Sequence, residues 1–68
     1  MTLGEDRIRT KFNPSGNELV NVIKKRAAEL IDLLEAEKPH AGTEKVRLLA
    51  LAQTSLEDGA MWAVKALT

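Results

Sequence analysis

The sequence has no cysteine, only one histidine (His40) and only two aromatic residues, Phe12 and Trp62. Disulfide bonds are therefore excluded, and a structural zinc site, which needs several cysteine or histidine ligands, is not expected. No clustered histidines, P-loop or dinucleotide fingerprint is present either. These absences predict a protein that is not an enzyme and that uses no metal or cofactor.

Long hydrophobic runs are also missing. The longest apolar stretch extends from Leu48 to Ala52, which is far too short to span a bilayer. Residues 1–15 carry several charges and no apolar run, so no signal peptide is predicted. Together with the lack of cysteine, this favours a cytoplasmic protein without a membrane partner.

The chain is short, at 68 residues, but its apolar content of 44% is typical of a folded protein. A single domain of this size buries only about 60% of the surface of its unfolded chain. Because neither a disulfide nor a metal can add stability, association with copies of itself or with a partner is expected.

Charge is unevenly distributed although the formal net charge is zero. Residues 7–26 contain six basic side chains and one acid, whereas residues 27–44 contain five acids and one lysine. A neutral chain is not typical of proteins that bind DNA or RNA polymers, which need a broad basic face. A local basic site for a small anion is compatible with this pattern.

The first of two predicted long helices covers residues 15–37 and follows an arm at residues 1–14 that is either helical or extended. Pro14 disfavours helical geometry at Asn13, and Ser15 and Glu18 have the spacing of a capping box. The helix is predicted to end near Glu37 because Pro39 cannot continue it.

A turn is predicted at residues 38–42 and a second helix at residues 43–67, with Thr43 as its N-cap. Since the turn is short, the two helices should be antiparallel neighbours. The predicted fold is all-α: an antiparallel helical hairpin in one domain, packed into a compact homo-oligomer. Apolar side chains recur at helical spacing in both helices and form faces too wide for a single partner helix (Leu19, Val20, Ile23, Leu30, Ile31, Leu33 and Leu34; Val46, Leu48, Leu49, Leu51, Leu56, Val64 and Leu67). Gly59 is a position at which another backbone could approach closely.

A polar ladder begins the first long helix. Asn17, Asn21 and Lys24 are at positions i, i+4 and i+7 and therefore share one face, near the helix N-terminus where anions are favoured. The preceding segment contributes further candidates, namely Arg9, Lys11, Phe12 and Asn13, and the antiparallel arrangement returns Lys65 to the same end of the hairpin. Cations, amides and one aromatic suit a nucleotide. A merely solvated polar face remains the alternative at this point.

Other polar residues have simpler interpretations. Glu57 and Asp58 are consecutive in a helix, so their side chains point about 100° apart and do not form a ready-made carboxylate pair. They are interpreted as solvated surface, and His40 as an exposed turn residue. Trp62 and Met61 are expected in a core or interface rather than against a ligand.

Three segments resemble the small phage anti-CBASS sponge proteins, whose helical hairpin is shared with the anti-Thoeris sponges. They are FNPSGN, VIKKRAAELIDLLE and RLLALAQTSLEDGAMWAVKAL, and the resemblance covers residues 9–67. It implies a non-catalytic protein that forms compact oligomers, typically hexamers, in the host bacterial cytoplasm. Such proteins sequester cyclic dinucleotides in pockets between protomers, with separate pockets for cyclic trinucleotides.

The resemblance also implies roles for individual residues. Lys24 and Lys65 correspond to phosphate-binding residues, and Arg26 is placed to reach the same phosphates. Family members often have a base-stacking aromatic before the first long helix, where this chain offers Arg9 or Phe12.

Two other functions are open on the residues alone. The hairpin could be a protein-binding adaptor or an inhibitor of a host factor, with no nucleotide ligand. A polynucleotide-binding protein is the weakest alternative because of the zero net charge.

Overall fold

Three α-helices and one 3₁₀ turn make up the fold. The structure, a computed structural model, describes residues 2–11, 13 and 16–68. The α-helices are α1 (Leu3–Ile8), α2 (Glu18–Glu37) and α3 (Thr43–Leu67), with the 3₁₀ turn at Lys38–His40. These described parts of the chain contain no β-strand. The all-helical fold class and the hairpin arrangement of the two long helices are thus confirmed.

The N-terminal ends of the long helices differ in detail from the sequence prediction. Asn17 is the N-cap of α2, and its side chain accepts a hydrogen bond from the Leu19 N–H at 2.8 Å. Ser15, the predicted cap, lies outside the described residues. Gly42, and not Thr43, is the N-cap of α3, and no side-chain cap is present there. Thr43 is instead the first helical residue.

The arm contains the short helix α1, which begins with a complete capping box. The Thr2 hydroxyl accepts from the Glu5 N–H at 3.1 Å, and the Glu5 carboxylate accepts from the Thr2 N–H at 2.9 Å. That second bond, to the Thr2 backbone, lowers the pKa of Glu5. Residues with this spacing satisfy two of the N–H groups that a helix start leaves unpaired.

A close approach at Gly4 docks α1 on α2. The Gly4 N–H donates to the Asp32 carboxylate at 2.7 Å. A Cβ at position 4 would lie only 2.1 Å from the Ala28 carbonyl oxygen. Only glycine allows the two backbones to approach this closely.

The core of one protomer is small. It consists of Ile8 from α1, Ala27, Ala28 and Ile31 from α2, and Ala60 from α3, with Leu56 partly buried against it. The Cα atoms span only 13 Å in the thinnest direction of the protomer. Half or more of the surface of Leu19, Leu48 and Leu51 stays exposed, although the sequence places them in the apolar faces.

A polar residue, Gln53, occupies a fully buried position between α2 and α3. Its amide nitrogen donates to the Ile31 carbonyl and to the Glu35 carboxylate, each at 3.0 Å. Lys38 also binds Glu35, and the bonds from Lys38 and Gln53 lower the pKa of Glu35. The side-chain oxygen of Gln53 is buried and has no hydrogen-bond partner among the described residues. A buried oxygen without a hydrogen-bond partner costs stability.

Candidate anion-binding site

A cleft of about 610 Å³ lies between the end of α1, the first half of α2 and the second half of α3. Its volume is in the range of small-molecule sites. Three cations line it, namely Arg7, Arg9 and Lys24, with two acids, Glu57 and Asp58. The remaining lining is a mixture of hydroxyl and apolar groups (Ile8, Thr54, Ser55, Ala60, Met61 and Val64). The charged lining thus has one excess positive charge.

Lys24 is the most unusual of these cations because only 5% of its surface is exposed. Its ammonium group donates to the Arg9 carbonyl oxygen at 3.1 Å. Burial, and then the nearby charge of Arg9, lowers the pKa of Lys24. Both effects disfavour the charged form of Lys24. An anion that entered the cleft would favour the charged form and would interact with a poorly hydrated ammonium group.

Arg9 owes its position to a left-handed backbone turn at the end of α1. Its φ and ψ are both 57°, and its N–H donates to the Glu5 carbonyl. This region is unusual for a residue with a Cβ and costs roughly 1–2 kcal/mol. The turn ends the helix, leaves the Arg9 side chain exposed and brings its carbonyl to Lys24.

The asparagines form hydrogen bonds with one another, which the predicted ladder does not include. The Asn13 amide donates to the Asn17 carbonyl at 2.8 Å and to the Asn21 side chain at 3.0 Å. Asn17 precedes the helix, and its side-chain oxygen caps α2. Asn13, Asn17 and Asn21 therefore form a hydrogen-bonded cluster around the start of α2, and none of them lines the cleft.

Two further predicted cations are exposed and are not part of the cleft lining. Lys65 is exposed, and its ammonium group is 5.6 Å from the centre of the Trp62 ring, a cation–π contact. Arg26 is exposed and, two residues after Lys24, points roughly 200° around the helix from it. Neither side chain lines the cleft. Phe12, the other candidate base-stacking residue, lies outside the described residues.

Arg7 and Glu57 are site residues that the sequence analysis missed. The Arg7 guanidinium donates to one oxygen of Glu57 through Nε at 3.0 Å and through Nη2 at 2.5 Å. It also reaches the Thr54 hydroxyl at 3.4 Å. Glu57 is thus ion-paired in the cleft although its side chain stays partly solvated, which refines its interpretation as solvated surface. No local signal predicts a contact between residues 50 positions apart.

The cations of the cleft suit binding of an anion. The hydroxyl groups of Thr54 and Ser55 also line the cleft, but they are remote from His40, which lies in the 3₁₀ turn that joins the other ends of α2 and α3. Within the described residues no cluster of acidic, histidine or cysteine side chains could hold a metal ion. A scan of the same residues finds no helix with the length and apolarity needed to cross a membrane.

Comparison with protein families gives a match over nearly the whole chain. A family model described as "Acb2/Tad1, hairpin domain" matches residues 4–68, which is nearly the whole chain. Searches of curated proteins and of solved structures give no significant match.

Proposed function

The chain belongs to the Acb2/Tad1 hairpin domain family, and from this membership we propose that it binds cyclic di- and trinucleotide messengers and sequesters them uncleaved. The family resemblance seen in the sequence is confirmed. The family comprises the anti-CBASS and anti-Thoeris sponges, so membership implies a sponge for cyclic oligonucleotides and a binding role rather than a catalytic one. In this proposal the protein is a phage protein that removes an immune signal from the host bacterial cytoplasm.

The observation that carries the proposal is the buried Lys24 ammonium group in a cleft with excess positive charge. Burial of an ammonium group costs free energy, so a buried lysine that lines a cleft is a candidate for binding an anion. A phosphodiester supplies the matching charge, and charge-assisted hydrogen bonds are about twice as strong as neutral ones. We assign Lys24 to phosphate, with the exposed Arg9 guanidinium or Phe12 stacking on a base.

Self-association is the second part of the proposal. Exposed apolar side chains continue along α2 at helical spacing, namely Leu19, Val22, Leu30 and Leu33, and along α3, namely Leu48, Leu51 and Trp62. Because α1 contacts Ala28 and Asp32 on α2 and Thr54 and Glu57 on α3, these faces lie on the side of the hairpin that α1 leaves open. A second copy would cover them.

Assembly would also bring further cations to the cleft. Lys65 and Arg26 do not line the cleft of their own protomer, but in a closed ring each could face the cleft of a neighbour. We propose that the neighbour's Lys65 and Arg26 complete the phosphate contacts, and that the asparagine cluster at Asn13, Asn17 and Asn21 offers amides to the ligand. A hexamer, with distinct pockets for cyclic di- and trinucleotides, is the assembly proposed from the family.

Calorimetric titration with cyclic di-AMP, cyclic di-GMP and cyclic tri-AMP tests the proposal. At least one of them should bind, with a stoichiometry that is a simple fraction of the subunit number. The ligand, released by heat and analysed by chromatography, should be recovered unchanged. Absence of heat for the whole panel would contradict the proposal, and a cleaved product would contradict sequestration.

Replacing Leu51 with glutamate is expected to dissociate the oligomer. Leu51 is 52% exposed in the protomer and contributes little to its core, so the helices should remain folded. An uncompensated charge in the interface should weaken association at least about tenfold, because burying it costs several kcal/mol.

Sedimentation would then show a shift toward the 7.5 kDa monomer. Leu51→Met, which keeps the position apolar, should sediment like the unmodified protein. An unchanged mass for Leu51→Glu would show that this face is not the interface.

A further inference from the structure

Arg7 is bound by Glu57 through only part of its hydrogen-bonding capacity. Nε and Nη2 both donate to the same carboxylate oxygen, Oε2, and Nη1 makes no hydrogen bond with any residue that the structure describes. The pair is therefore not the two-oxygen, parallel arrangement that makes arginine–carboxylate contacts strong. The Arg7 side chain is 24% exposed and that of Glu57 is 42% exposed, so water reaches both.

We propose that Arg7 is a second phosphate-binding residue of the cleft. In the free protein Glu57 binds the Arg7 guanidinium, and a phosphate of the ligand displaces it. The inference rests on the proposed function, since the ligand is taken to be an oligonucleotide phosphate. A carboxylate and a phosphodiester present similar oxygens to the planar guanidinium edge. Glu57 thus acts as an internal competitor for the position that a phosphate would take.

The exchange is energetically accessible. Partly exposed ion pairs contribute only about 0–1 kcal/mol, and a released Glu57 carboxylate can be hydrated at the cleft rim. The Thr54 hydroxyl stays near Arg7 during the exchange, at 3.4 Å in the free protein. The attachment of α1 does not depend on the pair, because Gly4 and Asp32 hold the helix on α2 independently.

The pair also has a consequence for selectivity. An incoming anion must displace Glu57 and approach Asp58, whose carboxylate makes no ion pair with the described residues. Weakly charged ligands gain too little binding free energy from Arg7 and Lys24 to displace Glu57. Oligonucleotides with several phosphates gain more, so the acids favour them over single carboxylates.

Three charge-removing variants test the proposal. Glu57→Gln removes the competing charge but keeps an oxygen that can accept from Arg7, so α1 should stay in place. Asp58→Asn removes one charge from the same cleft without touching Arg7. Glu44→Gln removes the carboxylate of a remote arginine–glutamate pair, Arg47–Glu44, that lies outside the cleft.

The expected order of affinities is distinctive. Glu57→Gln should bind the cyclic nucleotide found in the calorimetric panel about three- to five-fold more tightly than Asp58→Asn. Glu44→Gln should equal the unmodified protein. In an Arg7→Gln background the extra gain of Glu57→Gln over Asp58→Asn should vanish. Equal gains for both cleft variants, or a gain that survives in Arg7→Gln, would overturn the proposal.

A second probe separates this proposal from the proposed function. Inorganic pyrophosphate tests phosphate binding at Arg7 without any base recognition. If no cyclic nucleotide binds but Glu57→Gln still binds pyrophosphate more tightly than Asp58→Asn, the sponge function fails and the Arg7 exchange stands. If the unmodified protein binds a cyclic nucleotide and the two cleft variants do not differ for either probe, the exchange fails alone.

Discussion

Replacement of Lys24 by methionine should reduce affinity for cyclic dinucleotides by about 10- to 100-fold, which corresponds to the loss of one hydrogen bond between charged groups. Methionine keeps the unbranched apolar stem, so the buried space stays filled. The free protein should at the same time keep or gain stability, because the burial that lowers the pKa of Lys24 no longer has to be compensated. A functional lysine thus gives opposite effects on binding and on stability.

The pH dependence provides an independent signature of Lys24. Its pKa is lower in the folded protein than its ordinary value of 10.5. Between those two values the unfolded chain binds more protons than the folded one, so the free energy of unfolding should rise with pH. A bound phosphate favours the charged ammonium and raises the pKa again. Binding in this alkaline interval should therefore take up protons, and affinity should fall as pH rises.

Titration calorimetry in two buffers of different ionisation enthalpy measures the proton uptake directly. Lys24→Met should abolish it. Lys25 is the matched control, since it is the neighbouring lysine but is exposed. Lys25→Met should change affinity only a few-fold through screened charge. Equal losses of affinity in the two variants would show that Lys24 contributes only general positive charge.

The sequence predicted the long helices well because their signals are local. Apolar spacing defines both helices, and Pro39 marks the turn between them. For the N-terminal arm the sequence is compatible with a helix or an extended segment, and the structure shows the short helix α1 there. Its capping box, Thr2 with Glu5, has the same spacing that was used at Ser15, and it could have indicated the helix start. Gly4 has a poor helix propensity, but its close contact with α2, which only the folded structure shows, outweighs that propensity.

The candidate site was only partly predictable, because local sequence patterns do not encode contacts between distant parts of the chain. Lys24 followed from its position near a helix start and from the family motif. The Arg7–Glu57 pair depends on how α1 docks across both long helices, which no local pattern encodes. Asn17 has the right spacing for a shared face, yet its backbone precedes the helix and its side chain serves as the cap. Asparagine is a frequent helix cap, and capping occupies its side-chain oxygen before a ligand binds.

Gly4→Ala should detach α1 and, with it, the arginine-bearing wall of the cleft. The added methyl would lie 2.1 Å from the Ala28 oxygen, 2.8 Å from its carbonyl carbon and 2.8 Å from Asp32 Oδ1. Two of these atoms belong to the backbone of a long helix and cannot turn aside, so α1 must move. The hydrogen bond from Gly4 to Asp32 would be lost, and Ile8 would be exposed. The expected destabilisation is about 1–3 kcal/mol, as for other overpacked sites.

The sign of this effect makes the test sharp, because alanine normally stabilises a helix relative to glycine by up to about 1 kcal/mol. Gly42→Ala is the control: apart from its two chain neighbours, no atom of the described residues lies within 4 Å of its Cβ position, and its φ of −74° suits alanine. That variant should change the free energy of unfolding by no more than about 1 kcal/mol. Trypsin should cleave after Arg7 and Arg9 faster in Gly4→Ala than in Gly42→Ala.

Nucleotide affinity should fall with the same variant, since Arg7, Arg9 and the carbonyl that holds Lys24 all move with α1. Ligand binding must then restore the docked helix, which subtracts the docking free energy from the binding free energy. Gly4→Ala should therefore bind at least about fivefold more weakly while α2 and α3 keep their helical circular dichroism. If α1 becomes sensitive to trypsin but affinity is unchanged, the ligand does not use the cleft that α1 completes. If neither property changes, α1 does not dock through Gly4.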